Sequence, residues 1–553
     1  MNSPTPSPVL VSVIVPVHNA MPYLERTLES LYVQTLGRDA LEVIAVDDGS
    51  TDGSGDLLDH WTTRPWRMTV LHQKASGGPS RPRNAGLDLA TGRYVFFVDA
   101  DDCLGPQALE RLVAMAERND SDTVLAKLVG VGRQVPKAVF AKDVDRAELA
   151  SDVYFTLMPF KLFRRDLIER HAIRFPEHMR ISEDQHFVAR AYLHSRRISV
   201  VGDYDCYYVV KRADDGNITS TSLDYSKVVE QAAEMVGLVT DLTEPGPVRT
   251  HLIYRHVRVE LLRRFDRRFV EADAATRAEW VELARPYARQ WVTPEVMAKL
   301  DVAARLRVHC LREGHVDALV EIVRWDLAGR PGRATVRDGR LYATVPWPAS
   351  GHSGQLPLDL CDITGEMARN SPRRRLELLS EEGTRIKLAG YAYLDQVDTD
   401  KLTTEITLRR RGTQEVLTVA AGQTPTPHLT AARGKERYDY GRAGFEAVID
   451  LATVNGGAPL PCGIWEVGIS ATARGLTATG RLGAARTREV AVQGRPRPLP
   501  LGPDARPVPV GTEFDAGNNL VVRVEPTPVP APKGPIRGMA QRIAHRVQAG
   551  RAT

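Results

Sequence analysis

The chain has 553 residues, 43% hydrophobic and 26% charged, a globular composition too long for one ordinary domain and expected to divide into two to four. It has no apolar run of membrane-spanning length and no basic start leading into a hydrophobic segment, and its five cysteines are scattered, so a cytoplasmic protein without disulfides or a zinc site is expected. The net charge of +4 divides into 26 Lys+Arg against 30 Asp+Glu over residues 1–222 and 47 against 39 beyond them; no basic stripe with interleaved aromatics is present, which argues against a nucleic-acid partner.

Val9 to Val17 is a β-branched run that stops at His18-Asn19, a strand followed by a turn. Leu24, Leu28, Leu31 and Tyr32 then repeat at helical spacing. Leu41 to Val46 is a second strand, and Asp47-Asp48-Gly49-Ser50-Thr51-Asp52 after it supplies a tight turn and a cap for a helix running toward Trp61. Met68 to Leu71 is a short third strand. The loop Ser76-Gly77-Gly78-Pro79-Ser80-Arg81-Pro82-Arg83-Asn84 follows, suited through Arg81 and Arg83 to approaching a phosphate, and a short helix is expected over residues 85–90.

Tyr94-Val-Phe-Phe-Val98 is a doubly buried strand that runs into Asp99-Ala100-Asp101-Asp102. Ligands of open α/β sheets bind beyond strand carboxyl ends, and closely set aspartates there suit a hard cation holding a diphosphate. A helix over residues 106–119 and a strand over 123–128 continue the alternation, which calls for a mostly parallel sheet. Three strand ends therefore converge: Pro16-Val-His18-Asn19, Asp47-Asp48 and the Asp99 cluster. Neither a G-x-G-x-x-G fingerprint nor a Walker lysine motif is present, which weighs against a dinucleotide oxidoreductase or a nucleotide triphosphatase.

Val13-Ile-Val-Pro-Val-His-Asn19, Val46-Asp-Asp-Gly-Ser-Thr-Asp52, Arg83-Asn-Ala-Gly86 and Val98-Asp-Ala-Asp-Asp102 resemble the signatures of family 2 glycosyltransferases with the α/β GT-A fold. A narrower similarity lies in Ser76 to Asn84, Gly130-Val-Gly-Arg133-Gln-Val-Pro136, Ser182-Glu183-Asp184-Gln-His-Phe187 and Tyr207-Tyr-Val-Val-Lys-Arg212, which resemble the wall teichoic acid (polyribitol-phosphate) N-acetylglucosaminyltransferases. The resemblance implies a UDP-sugar donor, Mn²⁺ or Mg²⁺, a glycan or polyol-phosphate polymer as acceptor, and an inverting displacement. By position it implies that Pro16, His18 and Asp48 hold the uridine, that Arg83 and Asn84 support the donor, and that Asn19, Asp47, Arg81, Arg133 and Arg212 belong to the same substrate site. Asp101, Asp99 and Asp102 are the implied metal set, with Asp101 the first ligand, Asp99 also a donor contact and Asp102 a supporting acid; Asp184 is the implied base and Glu183 its helper. The chemistry agrees, since the leaving diphosphate needs a cation and the acceptor hydroxyl a carboxylate to take its proton. The loop after Arg212, residues 213–219, lacks the histidine the resemblance implies, so a different capsular or wall polymer stays open as acceptor. A non-catalytic carbohydrate-binding or scaffold protein on the same fold, and a nucleotidyltransferase, are the rival readings.

The resulting division is a catalytic domain over 1–222, a helical linker over 223–330, an immunoglobulin-like β-sandwich over 331–525 and a Pro-rich basic tail over 526–553. In the linker Leu252, Val257, Leu261 and Leu262 alternate with Arg255, Arg258, Arg263 and Arg264, whose basic faces are read as solvated. From about Arg330 the period changes to two, as in residues 385–394, 402–408, 445–451 and 464–470, with 518–524 as the last strand. The resemblance implies trimers built through this region, with carbohydrate binding as the alternative. The tail carries Lys533, Arg537, Arg542, Arg546 and Arg551 and no carboxylate; a disordered tail is the leading reading, and a short helix on anionic lipid at the inner membrane face the alternative.

Overall fold

The computed structural model describes residues 9–179, 181–212, 224–347, 356–431, 437–492, 496–501 and 506–526. The chain folds into two compact units that meet in sequence at Leu327 and Ala328.

The first unit is built on ten strands: β1 (Val11–Val17), β2 (Leu41–Asp48), β3 (Arg67–Gln73), β4 (Tyr94–Phe97), β5 (Cys103–Leu104), β6 (Thr123–Ala126), β7 (Leu128–Val131), β8 (Lys161–Arg164), β9 (Ile198–Val201) and β10 (Tyr207–Val210). Seven form one sheet in the order β3-β2-β1-β4-β8-β6-β9. β1 runs parallel to β2 and β4, β2 to β3, and β6 to β9, whereas β8 is antiparallel to both neighbours. β1, β2 and β4 are buried almost throughout, as helices on both faces require. Those helices include α1 (Leu24–Tyr32), α2 (Ser54–Thr62), α3 (Ser80–Leu89), α4 (Ala108–Asn119), α5 (Arg165–Arg170) and α6 (Glu183–His194). Close packing of α3 on β1 depends on Gly86, where a Cβ would stand 2.5 Å from the Ile14 side chain. A small sheet of order β5-β10-β7 lies beyond the main one, with β10 antiparallel to β5 and parallel to β7.

Two expectations need correction here. The residues read as a loop through Asn84 are helical from Ser80, because Pro82 sits in the first turn, where its missing N–H costs no intrahelical bond. The strand expected over 123–128 is two strands, β6 and β7, which belong to different sheets.

The same unit continues through α7 (Tyr225–Leu242), α8 (Pro247–His256), a π-helical turn (Val257–Leu261), α9 (Arg267–Glu271), α10 (Ala274–Trp291), α11 (Pro294–Lys299), α12 (Val302–Glu313) and α13 (Val316–Leu327). Asp224, Asp266, Asp273, Thr293 and Asp301 cap five of these helices by accepting a first-turn backbone N–H. The solvated-face reading fails at Arg255, which is buried and donates to Glu260 Oε1 at 2.7 Å, while Arg258 and Arg263 are exposed.

Among its described residues the second unit is mostly β, with two short α-helices and a 3-10 turn at Leu358–Cys361. It contains β11 (Thr335–Arg337), β12 (Arg340–Tyr342), α14 (Thr364–Asn370), β13 (Arg373–Glu382), β14 (Arg385–Tyr393), β15 (Leu402–Arg410), β16 (Val416–Thr424), α15 (Pro427–Ala431), β17 (Gly444–Asp450), β18 (Gly463–Ala473), β19 (Leu476–Arg481), β20 (Arg497–Pro500), β21 (Pro507–Phe514) and β22 (Leu520–Val524). Its strands pair along β13-β14-β17-β16-β15-β18-β22-β21-β20, with β19 on β18. β16 belongs to two ladders: its first part pairs with β15 and its last three residues with β17. Burial alternates along β15 and β17, so one face of each is core and the other is wet.

The loop over residues 213–219 and all but the first residue of the 526–553 tail lie outside the described residues. Among the described residues no helix is long and apolar enough to cross a membrane.

Candidate functional site

Three parallel strands end side by side. β1 delivers His18 and Asn19, β2 delivers Asp47 and Asp48, and β4 delivers Asp99, whose preceding residue Val98 still donates to Ile14 O at 3.0 Å. His18 Nδ1 lies 2.8 Å from the Asp48 carbonyl, and Asn19 joins the second loop by accepting from the Thr51 amide at 2.9 Å. The Asp48 carboxylate accepts from Gln73 Nε2 at 2.6 Å and from the Ser76 hydroxyl at 2.8 Å and amide at 3.0 Å, which draws the Ser76–Gly78 turn against β2. Gly49 makes that approach possible: with φ at 73°, its missing Cβ would stand 2.7 Å from the Ala75 amide.

The acids of the β4 turn divide by environment. Asp99 Oδ1 accepts from Arg83 at 2.9 Å, and the Asp99 side chain is about one-third exposed. Burial, then the charge of Asp99, pushes Asp101 up to about 6, with Arg212 and Arg133 opposing. Arg212 stands 4.0 Å from Asp101 and also donates to the Asn19 carbonyl at 3.3 Å. Asp102 is only 2% exposed; its two oxygens accept from the Tyr207 hydroxyl at 2.8 Å and the Val210 amide at 2.7 Å. Burial, then the Asp99 charge, pushes it up to about 8.

Arg83 connects this turn to α6. Its guanidinium is buried, spans Asp99 and Glu183 Oε1 (3.1 Å), and lies 5.1 Å from the Phe175 ring. Phe175 in turn stacks on Phe187 at 4.1 Å and meets Phe97 edge-on, so an aromatic floor supports both the arginine and the helix. At the start of α6, burial pushes Glu183 up to about 7, the Asp184 charge adding to it; burial also raises Asp184, with Arg83 opposing. The arrangement offers arginine cations suited to a diphosphate, carboxylates suited to a cation, and a carboxylate of raised proton affinity at Asp184.

Not every residue expected at the site faces it. Asp47 spends its carboxylate on the Ser50 amide and His72 Nδ1, bracing the turn rather than offering itself to a ligand. Asn84 clips the Phe175 backbone, donating to its carbonyl and accepting from its amide at 2.9 Å each, so its role is to seat the aromatic floor. Asp102, the supporting acid of the expected metal set, turns inward, and each of its oxygens accepts a hydrogen bond from a protein donor. Arg81 and Arg133 are exposed, and Pro16 is a half-buried member of β1.

Sequence reasoning missed three contributors. Thr27 of α1 donates to the Ala100 and Asp102 carbonyls at 2.9 and 2.7 Å; it looked like one more polar residue on a helix. Tyr207 is wholly buried, accepts from the Asp99 amide and donates to Asp102. Lys161 opens β8 and is buried, donating to the Met158 carbonyl at 2.5 Å; burial pulls its ammonium down to about 7 while the field of Asp184 opposes. A lysine at the head of the apolar run Leu162-Phe163 was the available signal.

Residues 12–176 match the family described as Glycosyl transferase family 2. Residues 225–323 match the Glycosyl transferase TarS linker domain, and residues 368–499 the TarS beta-glycosyltransferase C-terminal domain 1. A poly(ribitol-phosphate) beta-glucosyltransferase of Bacillus spizizenii is 32% identical over 352 residues, which are 61% of this chain and 53% of that protein. Glycosyltransferase GlyG of Streptococcus pneumoniae is 30% identical over 234 residues, 39% of this chain and 75% of the relative. Among solved structures, S. aureus TarS 1-349 in complex with UDP-GlcNAc superimposes with a TM-score of 0.54 at 28% identity, covering 63% of this chain and all of that one. The chain thus spans about half the length of the Bacillus relative.

Proposed function

The chain belongs to glycosyl transferase family 2, and from that premise we propose that it transfers a sugar from a UDP-sugar to a poly(ribitol-phosphate)-type cell-wall polymer with inversion at the anomeric carbon. The observation that carries this reading is the Arg83 bridge: one buried guanidinium holds Asp99 of the β4 turn and Glu183 of α6 at 2.9 and 3.1 Å, so the acids suited to the donor and the carboxylate suited to the acceptor form one constellation. Glucose and N-acetylglucosamine are the sugars to test first, since the Bacillus relative is named a glucosyltransferase and the superimposed structure holds UDP-GlcNAc.

In the reaction the acceptor hydroxyl oxygen forms a bond to the anomeric carbon while the bond from that carbon to the diphosphate oxygen breaks. Asp184 takes the hydroxyl proton, its raised proton affinity making it a stronger base than an exposed aspartate. Arg83 fixes the distance between the two halves of the site, and Arg212 stands over the turn where the diphosphate charge develops. Asp99 and Asp101 fit a divalent cation: both are carboxylates, hard oxygen ligands, and Asp101 is pushed up by burial and the Asp99 charge, a repulsion a cation would relieve. When bound, Mn²⁺ or Mg²⁺ would neutralise the leaving diphosphate. Among the described residues no cluster of three or more such ligands occurs, so the donor's phosphate oxygens would complete the shell. Self-association is proposed through the second unit.

The test incubates the protein with UDP-glucose or UDP-N-acetylglucosamine, Mn²⁺ and extracted wall polymer, and reads the product by mass. A hexose or N-acetylhexosamine added to the polymer, with UDP released, is expected. A protein that neither binds UDP nor consumes either sugar nucleotide contradicts the reading.

A further inference from the structure

Asp102 and Tyr207 have no place in the displacement itself, yet they form a closely made junction. The Tyr207 hydroxyl accepts from the Asp99 amide at 3.1 Å and donates to Asp102 Oδ2 at 2.8 Å, so one buried oxygen fixes both ends of the acidic turn. Asp102 Oδ1 accepts from the Val210 amide at 2.7 Å, which ties the turn to the end of β10, two residues before Arg212. The Tyr207 ring also stacks on Phe160 at 4.2 Å, a packing contact separate from the hydroxyl's two hydrogen bonds. From the opposite side, Thr27 of α1 holds the Ala100 and Asp102 carbonyls. The turn bearing Asp99 and Asp101 is therefore clamped between α1 and β10.

We propose that Tyr207 is a positioning residue for the cation-binding geometry of Asp99 and Asp101, and that through Asp102 it sets that geometry in register with Arg212. The proposal rests on the reading that these two carboxylates hold a divalent cation against a nucleoside diphosphate. A buried carboxylate is costly unless hydrogen-bonded on both oxygens, and here the donors come from the strand that leads into the arginine over the same site. Removing the hydroxyl leaves the Asp99 amide and one Asp102 oxygen without that partner, while Thr27 still holds the turn's carbonyls. The turn should then stay folded but lose the fixed spacing of its two outward carboxylates.

Titration calorimetry of UDP into the full chain, with and without MnCl2, tests this on the wild type, Tyr207→Phe, Phe160→Leu and Asp102→Asn. Tyr207→Phe keeps the stacked ring and is expected to cut the manganese-dependent gain in UDP affinity by about tenfold, with metal-free UDP binding unchanged. Phe160→Leu, which removes the stack but keeps the hydroxyl, is expected to retain the gain. Asp102→Asn, which keeps the shape but weakens the acceptor, should show a partial loss and serves as the test should Tyr207→Phe not fold. A full gain in Tyr207→Phe, or an equal loss in Phe160→Leu, overturns the proposal. Wild-type UDP binding that manganese does not strengthen overturns it while leaving the nucleotide-sugar reading standing. No UDP binding under either condition overturns both.

Discussion

Two of the ion clusters that the first unit buries are balanced in opposite ways. Around the π-helical turn, Glu260 accepts from Arg255 at 2.7 Å and lies 3.1 Å from His256 Nδ1, while His256 Nε2 lies 3.0 Å from the Tyr154 hydroxyl. Burial opposes the Glu260 charge, but Arg255 and His256 more than offset it, and the carboxyl sits below its ordinary value. At the sheet end the carboxylates outnumber their partners: Asp101, Asp102, Glu183 and Asp184 are all held above theirs. A balanced cluster is a finished structural element. An unbalanced one stores unmet electrostatic demand, which suits a site that receives a cation and a proton.

The largest expected effect comes from breaking one bridge in each place. Glu260→Gln leaves Arg255 buried without its charge partner and should cost about 3 kcal/mol of stability, read by denaturant melts, with UDP affinity unchanged. Arg83→Met should cost a comparable amount, because Asp99 and Glu183 both lose their cation, and should also abolish transfer in whatever fraction stays folded. If Arg83→Met were fully active, or Glu260→Gln lost UDP binding, the division into structural and functional ion clusters would be wrong.

A smaller effect is the pH profile. Because burial raises Asp184, the proposed base loses its proton at a higher pH than an ordinary carboxylate. Transfer should therefore fall on acidification with a midpoint above about 4, the usual aspartate value. The melting temperature followed over the same range separates this from acid unfolding. A limb at or below the ordinary value would contradict Asp184 as the base.

The parts of the site that were legible in the sequence are those carried by local pattern. Apolar runs ending in His18-Asn19, Asp47-Asp48 and Asp99 announced strands with ligand-facing ends, and the β1-β2-β4 register brings them together. What local pattern could not show was which way each acid turns. Asp-Ala-Asp-Asp reads as three equivalent carboxylates, and only the approach of β10, more than a hundred residues later, turns Asp102 inward. Asn84 and Asp47 looked like ligand contacts for the same reason, since their partners Phe175 and His72 come from distant segments. The helix from Ser80 was hidden by Pro79, Pro82 and two glycines, residues that punctuate a chain in most settings but are tolerated at a helix start. β8 was missed because it begins with a buried lysine, and β21 because it contains two prolines.

On the proposed reading the acidic turn and α6 form one catalytic constellation with Asp184 as its base. Asp184→Asn tests it most directly, by measuring UDP affinity and transfer to wall polymer on the same preparation. UDP binding is expected to be unchanged and transfer lowered by about 10²–10⁴-fold. Transfer at the wild-type rate would contradict it.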